Sequence, residues 1–441
     1  MQQISYLKQF PMKTFSNLVL TAIIALTFSA CQEKVTDTYM ANVPVYMNRQ
    51  DFKKSVKVTG SEDIREPGKI YFKDNYIFIN EALKGIHVID NTNPSAPVFV
   101  SFIEIPGNMD MAIKDSILFA DSFIDLVALN ISDINNIREV GRVDSIFPNT
   151  LPPIDIQNQF PIGNIDATKG VVVGWETKEI EEKIQVQQTD WRFLRRFDFA
   201  MADMSSNSKV TTGSGSGSSS MSVGIGGSMA RFTIHGNFLY TVDAYNLKVF
   251  DIDELSSPLL VSNQGVGWNI ETVFQYQDKL FFGTTTGLII YDLVNPSSPA
   301  YISQYSHVRS CDPVVVEGNY AYVTLRSGNL CGEATSQLDV INVSNITSPK
   351  WEESYPMQEP YGLGIDGKTL FVCDGPAGLK VYNANDPKNL VKITGFPDVN
   401  AFDVIPYNDV LMMIGKDGLY QYDYSGPANM SLLSYIPILG R

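Results

Sequence analysis

Gly287-Leu-Ile-Ile-Tyr-Asp-Leu-Val-Asn-Pro-Ser-Ser-Pro-Ala-Tyr-Ile-Ser-Gln-Tyr-Ser-His-Val-Arg-Ser-Cys-Asp312 holds one copy of a pattern that the chain repeats. A β-branched and aromatic run ends in Asp292, a turn follows on Asn295-Pro296 and Pro299, and a second apolar run begins. The chemistry is local. Asp and Asn side chains accept hydrogen bonds from the backbone just ahead, and Pro fixes φ while withholding a donor, so a strand has to stop there.

With the closing polar residue as the mark, Asp90, Asn130, Asp251, Asp292, Asn342, Asn383 and Asp423 define seven copies. Successive marks lie 40, 121, 41, 50, 41 and 40 residues apart, which gives one unit length with a single long insertion between the second and third copies. A period of about 40 residues suits a propeller blade. Each unit carries four short runs, as in Thr272 to Tyr276, Leu280 to Thr284, Leu288 to Tyr291 and Ala300 to Tyr305. A lone four-stranded sheet cannot bury both its faces, so the sheets must stack around an axis. The pattern predicts an all-β, seven-bladed β-propeller of four-stranded antiparallel blades. The blades fall at about 68–108, 109–144, 229–270, 271–311, 312–360, 361–402 and 403–441, with an insertion at 145–228.

The first 30 residues read as an export signal. Lys8 and Lys13 precede the apolar run Leu18 to Phe28, and Ser29-Ala30-Cys31 supplies small residues at a cleavage point. The run is short of the ~20 residues that span a bilayer. Leu26-Thr-Phe-Ser-Ala-Cys31 resembles the bacterial lipoprotein box, with Phe28 where a small aliphatic residue is usual; the resemblance implies a lipidated Cys31 and a membrane anchor without a spanning helix. Residues 31–42 then read as a tether. Residues 43–65 contain the alternating run Phe52-Lys-Lys-Ser-Val-Lys-Val-Thr59, which has the look of an outer strand that helps to close the ring. The stretch Ser431 to Leu439 competes for that role.

Within the insertion stand the strand-like Gly170-Val-Val-Val-Gly-Trp175, the aromatic and basic Trp191-Arg-Phe-Leu-Arg-Arg196, and a Gly/Ser-rich tract over residues 211–229 with the composition of a flexible linker. The net charge is −15, and −17 without residues 1–30, which hold two Lys and no acid; this disfavours nucleic acid as a partner. Cys31 apart, three cysteines remain. Cys311 opens a first strand and Cys331 follows a second strand, positions that blade topology brings to one end, so a Cys311–Cys331 disulfide is expected in an oxidising compartment.

Chemistry is sparse. His87, His235 and His307 share no metal-ligand spacing, and no zinc, nucleophile-elbow or phosphate-loop pattern occurs, so neither metal nor cofactor is expected. Gly362-Leu-Gly-Ile-Asp-Gly367 matches a dinucleotide fingerprint but falls on a strand and its turn with no helix after it, and reads as structural. Four acids, Asp110, Glu271, Asp312 and Asp403, open inner strands at one end. They read either as caps on backbone N–H groups or as a partial carboxylate ring at the channel mouth, suited to a cation or amine. With Arg326, on an enlarged loop at 326–337, and Trp175 and Trp191 of the insertion, they make the candidate ligand-binding set. No catalytic residue is assigned.

Gly-Ile-His-Val-Ile-Asp90, Leu-Lys-Val-Phe-Asp251, Leu-Ile-Ile-Tyr-Asp292 and Leu-Asp-Val-Ile-Asn342, each followed by an Asn-Pro or Ser-Pro turn, resemble the LVIVD-repeat proteins over residues 68–144 and 229–441. The resemblance implies a β-propeller of the bacterial envelope with no agreed catalytic residues. The reading is an envelope-anchored lipoprotein of the outer membrane, either periplasmic or surface-exposed, whose propeller binds a protein, glycan or small ligand. A channel-mouth hydrolase or lyase and a periplasmic assembly scaffold are its rivals.

Overall fold

Each apolar run that ends at a polar mark is the third strand of a four-stranded antiparallel sheet, from Gly85–Asp90 in blade 1 to Gly418–Asp423 in blade 7. A computed structural model describes residues 34–155, 158–185, 223–306, 313–327 and 336–439. The turn chemistry holds in all seven copies. Asp90, Asn130, Asp251, Asp292, Asn342, Asn383 and Asp423 each accept, through Oδ1, the N–H two residues on. Asn93, Asp133, Asn345 and Asp386 repeat the bond three residues later. Each outer strand also slips register once against its third strand, a bulge that strengthens the twist a blade needs.

Inner strands follow one another round the ring, and the seventh, Ala401–Tyr407, packs on the first, Pro67–Lys73. Apolar layers such as Tyr71, Phe78, Phe119 and Leu239 fill the spaces between blades. Burying such surface is the main favourable term in the fold, at about 25 cal/mol per Å². Gly362 to Gly367 spans an inner strand, Leu363–Asp366, and its turn, where Gly367 has φ +54°. Thr369–Cys373, the next element, is a strand, so the fingerprint is structural.

Ring closure is decided between the two candidate segments. Ser431–Pro437 completes blade 7 with its own chain, while Lys57–Thr59 adds a fifth strand to the outside of blade 1, on Val98–Glu104. Among the described residues no strand passes from one terminus into the last blade; the seam is closed by side chains and by one backbone bond, from Leu439 N–H to Ile64 O. Ile70, Ile79 and Ile89 of blade 1 pack with Ile405, Ile414 and Leu419 of blade 7. Beside them the carboxamides of Asn91 and Gln421 exchange hydrogen bonds of 2.9 and 2.7 Å.

Residues 34–47, most of them read as a tether, form a strand. Lys34–Met47 pairs antiparallel with Val171–Gln185 of the insertion, Lys34 opposite Gln185 and Met47 opposite Val171. The ribbon's base is fixed by a short helix, Arg49–Phe52, capped by Asn48, whose Phe52 is buried with Phe123 and Val171. Arg49 and Arg142 lie over the Phe52 ring and both bond Asp125. Asn42 staples the ribbon to residues 158–163 through backbone and side-chain bonds.

Candidate functional site

The channel at the centre of the ring is threaded by the chain itself. The end of the Gly/Ser-rich tract, read as linker, is described from Val223. It bridges Lys114 at the far end of blade 2's inner strand, pairs Ile225 with Phe72 and Gly226 with Tyr71, and reaches the near end at Ser228. It runs antiparallel to the inner strand of blade 1, from the face of the first-to-second-strand turns to the face where inner strands begin. Glycine makes this possible. A Cβ on Gly224 would stand 2.3 Å from the Tyr71 ring and one on Gly227 would stand 2.5 Å from Asp403 Oδ2. The segment is bonded to several blades: Gly224 N–H to Ile113 O, Tyr71 hydroxyl to Gly224 O, Leu363 N–H to Ser228 Oγ and Val273 N–H to Ala230 O.

This threading decides what the strand-opening acids do. Asp110 is 2 % exposed and pairs at 2.6 Å with Lys69, itself 4 % exposed. The Asp110 carboxylate also accepts the N–H groups of Met111, Arg231 and Phe232, so it holds the segment as it leaves the channel for blade 3. Asp403, 1 % exposed, accepts the N–H and hydroxyl of Ser228. The two acids therefore grip one segment three residues apart. Glu271 is half-buried at a bulge opening blade 4's inner strand. Arg326 is nearly buried, with its guanidinium 4.1 Å from the centre of the Tyr361 ring; that ring packs on Phe402, next to Asp403. Arg326 thus joins the acids at the mouth. Trp175 does not, because it sits on the ribbon opposite Pro44 and donates its ring N–H to Pro152 O. Asp312, Trp191, Cys31, Cys311 and Cys331 lie outside the described residues.

Sequence reading missed Lys69, Asn108 and Asp121. Lys69 is a cation inside an apolar inner strand, a signal that was present but not used. Burial presses its ammonium below the ordinary lysine range, against the pull of Asp110. Asp121, at the end of blade 2's second strand, accepts from Asn108 Nδ2, Met109 N–H and Asp110 N–H. Burial nonetheless pushes its carboxyl up to about 6. Outside the channel, Glu81 bonds His87 at 3.1 Å and the N–H groups of Arg65 and Glu66. Burial works to raise it, but those bonds outweigh burial and hold Glu81 at about 2. His235 bonds Gln275. Among the described residues no three His, Cys, Asp or Glu side chains are placed to hold a metal ion.

Comparison with known proteins agrees with the architecture. The LVIVD repeat model matches residues 67–103, 226–264, 283–307 and 309–356. The chain carries LVIVD repeats. The second match starts inside the threaded segment, so the channel filling runs directly into blade 3. No curated protein sequence matches the chain. Among solved structures, Sqt1 of Saccharomyces cerevisiae aligns at TM-score 0.50 and 6 % identity over 90 % of this chain and 89 % of that one. A protein from Lactobacillus plantarum aligns at 0.50 and 10 % identity, covering 85 % and 97 %. The periplasmic gluconolactonase PpgL of Pseudomonas aeruginosa aligns at 0.48 and 10 % identity, covering 85 % and 97 %. The first two likenesses show the fold alone.

Proposed function

We propose that the chain is an envelope lipoprotein, anchored through an acylated Cys31, whose propeller is a binding scaffold rather than a catalyst. The observation that carries the reading is the placement of the ribbon. Its first strand begins at Lys34, three residues after Cys31, and its base is docked on the loops of blades 1 and 2 around Leu83 and Phe123. Those loops follow second strands, on the face where inner strands begin. A paired ribbon of 14 residues spans about 45 Å at ~3.3 Å per residue. It would act as a spacer between bilayer and ring where a flexible tether was expected.

The same face gathers what is irregular in the chain: the ribbon base, Arg326 against Tyr361, and Trp268, exposed and edge-on to Tyr245. Loops on a rigid frame are where binding residues concentrate. Asp110 and Asp403 serve this face by holding the channel segment, which leaves the rim to meet a protein or glycan. Mass spectrometry of the native N-terminus, with detergent partitioning of wild type and Cys31→Ser, tests the anchor. A mature chain that starts elsewhere without acyl groups removes it. Replacing Trp268 and Arg326 by Ala and measuring recovery of cross-linked envelope partners tests the face. Unchanged recovery moves the site away from it.

A further inference from the structure

On the flank of the ring, the outer strand of each blade is the free edge of a sheet. An unpaired edge offers its N–H and C=O groups to any strand that meets it, and proteins blunt such edges with charge, proline or a covering strand. Five of the seven edges are blunted in these ways. Blade 1 is covered by Lys57–Thr59, blades 2, 5 and 6 carry charge in Arg138–Val143, Lys350–Pro356 and Val391–Phe396, and the edge of blade 7 ends in Pro437, which has no N–H. The outer-strand bulge is common to all seven and sets none of them apart.

Blades 3 and 4 lack these devices. Leu259–Gly265, Leu-Leu-Val-Ser-Asn-Gln-Gly, and Ala300–Ser306, Ala-Tyr-Ile-Ser-Gln-Tyr-Ser, hold neither charge nor proline, in a chain with 33 basic and 48 acidic residues. The two edges are neighbours, joined where Gln264 Nε2 donates to Pro299 O at 3.0 Å. Leu259, Val261 and Tyr301 are exposed along them, as is Val294 on the turn between the third and fourth strands of blade 4. The covered edge of blade 1 shows what such an edge accepts. Lys57, Val58 and Thr59 pair antiparallel with Glu104, Ile103 and Phe102, the run past the bulge. In register with the third strands, that run is residues 263–265 in blade 3 and 304–306 in blade 4.

Charge decides the occupant. A net charge of −15 sets copies of the chain against one another wherever acids face acids, and a partner chosen by its charge finds no counter-charge on these two edges. An uncharged edge is a surface on which two copies meet without that cost, and identical edges are complementary to themselves about a two-fold axis. We infer that the flank of blades 3 and 4 is the interface of a homodimer. Residues 263–265 and 304–306 pair there with a second copy, and Leu259, Val261, Val294 and Tyr301 pack beside them.

Sedimentation of residues 31–441 carrying Cys31→Ser, so that acyl chains cannot drive association, is expected to give a reversible dimer by about 100 µM. Val261→Lys with Tyr301→Lys, at two exposed positions, sets like charges against each other and should raise the dissociation constant at least about tenfold, with thermal unfolding of the monomer unchanged. Leu432→Lys, exposed on the edge of blade 7, should leave the dimer as it is. Hydrogen exchange of the amides at 262–265 and 303–306 should slow as concentration rises, and should not do so in the double variant. A monomer at every concentration overturns the proposal. So does a dimer that the double variant forms as readily, or one that Leu432→Lys abolishes.

Discussion

Removing the carboxylate of Asp110 should show that the strand-opening acid is a structural clamp on the threaded segment. In Asp110→Ala the Lys69 ammonium loses its partner while only 4 % exposed, and the N–H groups of Arg231 and Phe232 lose their acceptor. Breaking a buried pair from one side costs about 3–5 kcal/mol. For a ring of this size, ~4 kcal/mol lowers Tm by about 5 °C. Lys69→Met is the milder change, because Asp110 keeps three backbone donors; about 1–2 kcal/mol is expected. The pH dependence separates the two. A lysine whose folded pKa is depressed binds fewer protons folded than unfolded, so stability rises with pH between its lowered value and the ordinary 10.5. Without Asp110 the depression deepens, and the deficit of Asp110→Ala should shrink from neutral pH towards pH 10. Thermal unfolding of wild type and both variants across that range measures this, and limited proteolysis at residues 223–232 reports release of the segment. If Asp110→Ala costs no more than Lys69→Met, or its deficit is flat with pH, the clamp is refuted.

Gly224→Val should be among the most disruptive single changes, since its Cβ would stand 2.3 Å from the Tyr71 ring; a loss of more than about 3 kcal/mol in unfolding experiments is expected. Phe52→Ala should undock the ribbon at a cost of about 3–5 kcal/mol, read as faster proteolysis between residues 34 and 47 with the blades spared. Glu81, held at about 2 in the fold against 4.5 unfolded, contributes stability that is complete above pH 4.5 and lost as pH falls through 2. That contribution is about 3 kcal/mol. Glu81→Gln should therefore flatten the acid limb of the Tm–pH curve, and an unchanged limb would count against the His87 and backbone bonds as its cause.

The blades were legible because their information is local. Asp90 and its six counterparts each write a turn into the next two residues, and the alternation around them writes the strands. Asp110 and Asp403 were found as strand-opening acids for the same reason. Their partners were not, because Lys69 and Ser228 reach them across 41 and 175 residues and no short window relates those positions. The ribbon was missed likewise: Lys34–Met47 needs Val171–Gln185 beside it to be a strand. Composition misled at Val223-Gly-Ile-Gly-Gly-Ser228. Glycine there serves the narrowness of a channel, and glycine in a linker looks the same.

A ring threaded by its own backbone is an axle held in a clasp. The segment from Val223 to Arg231 is continuous with blade 3 at one end and with the insertion at the other, so it cannot slide out while the ring is shut. Blades 3 to 7 are synthesised after it, and the seam between blades 7 and 1 can then close last, around an axle already in place. Pulling tells the same story in mechanical terms. A load applied ahead of Lys34 runs along the backbone of the ribbon's first strand to its base, where the buried Phe52 meets Phe123 and Val171. The clasp at Asn91 and Gln421 lies beyond that anchor, so a tug at the N-terminal side meets the Phe52 contact before it can unlock the wheel.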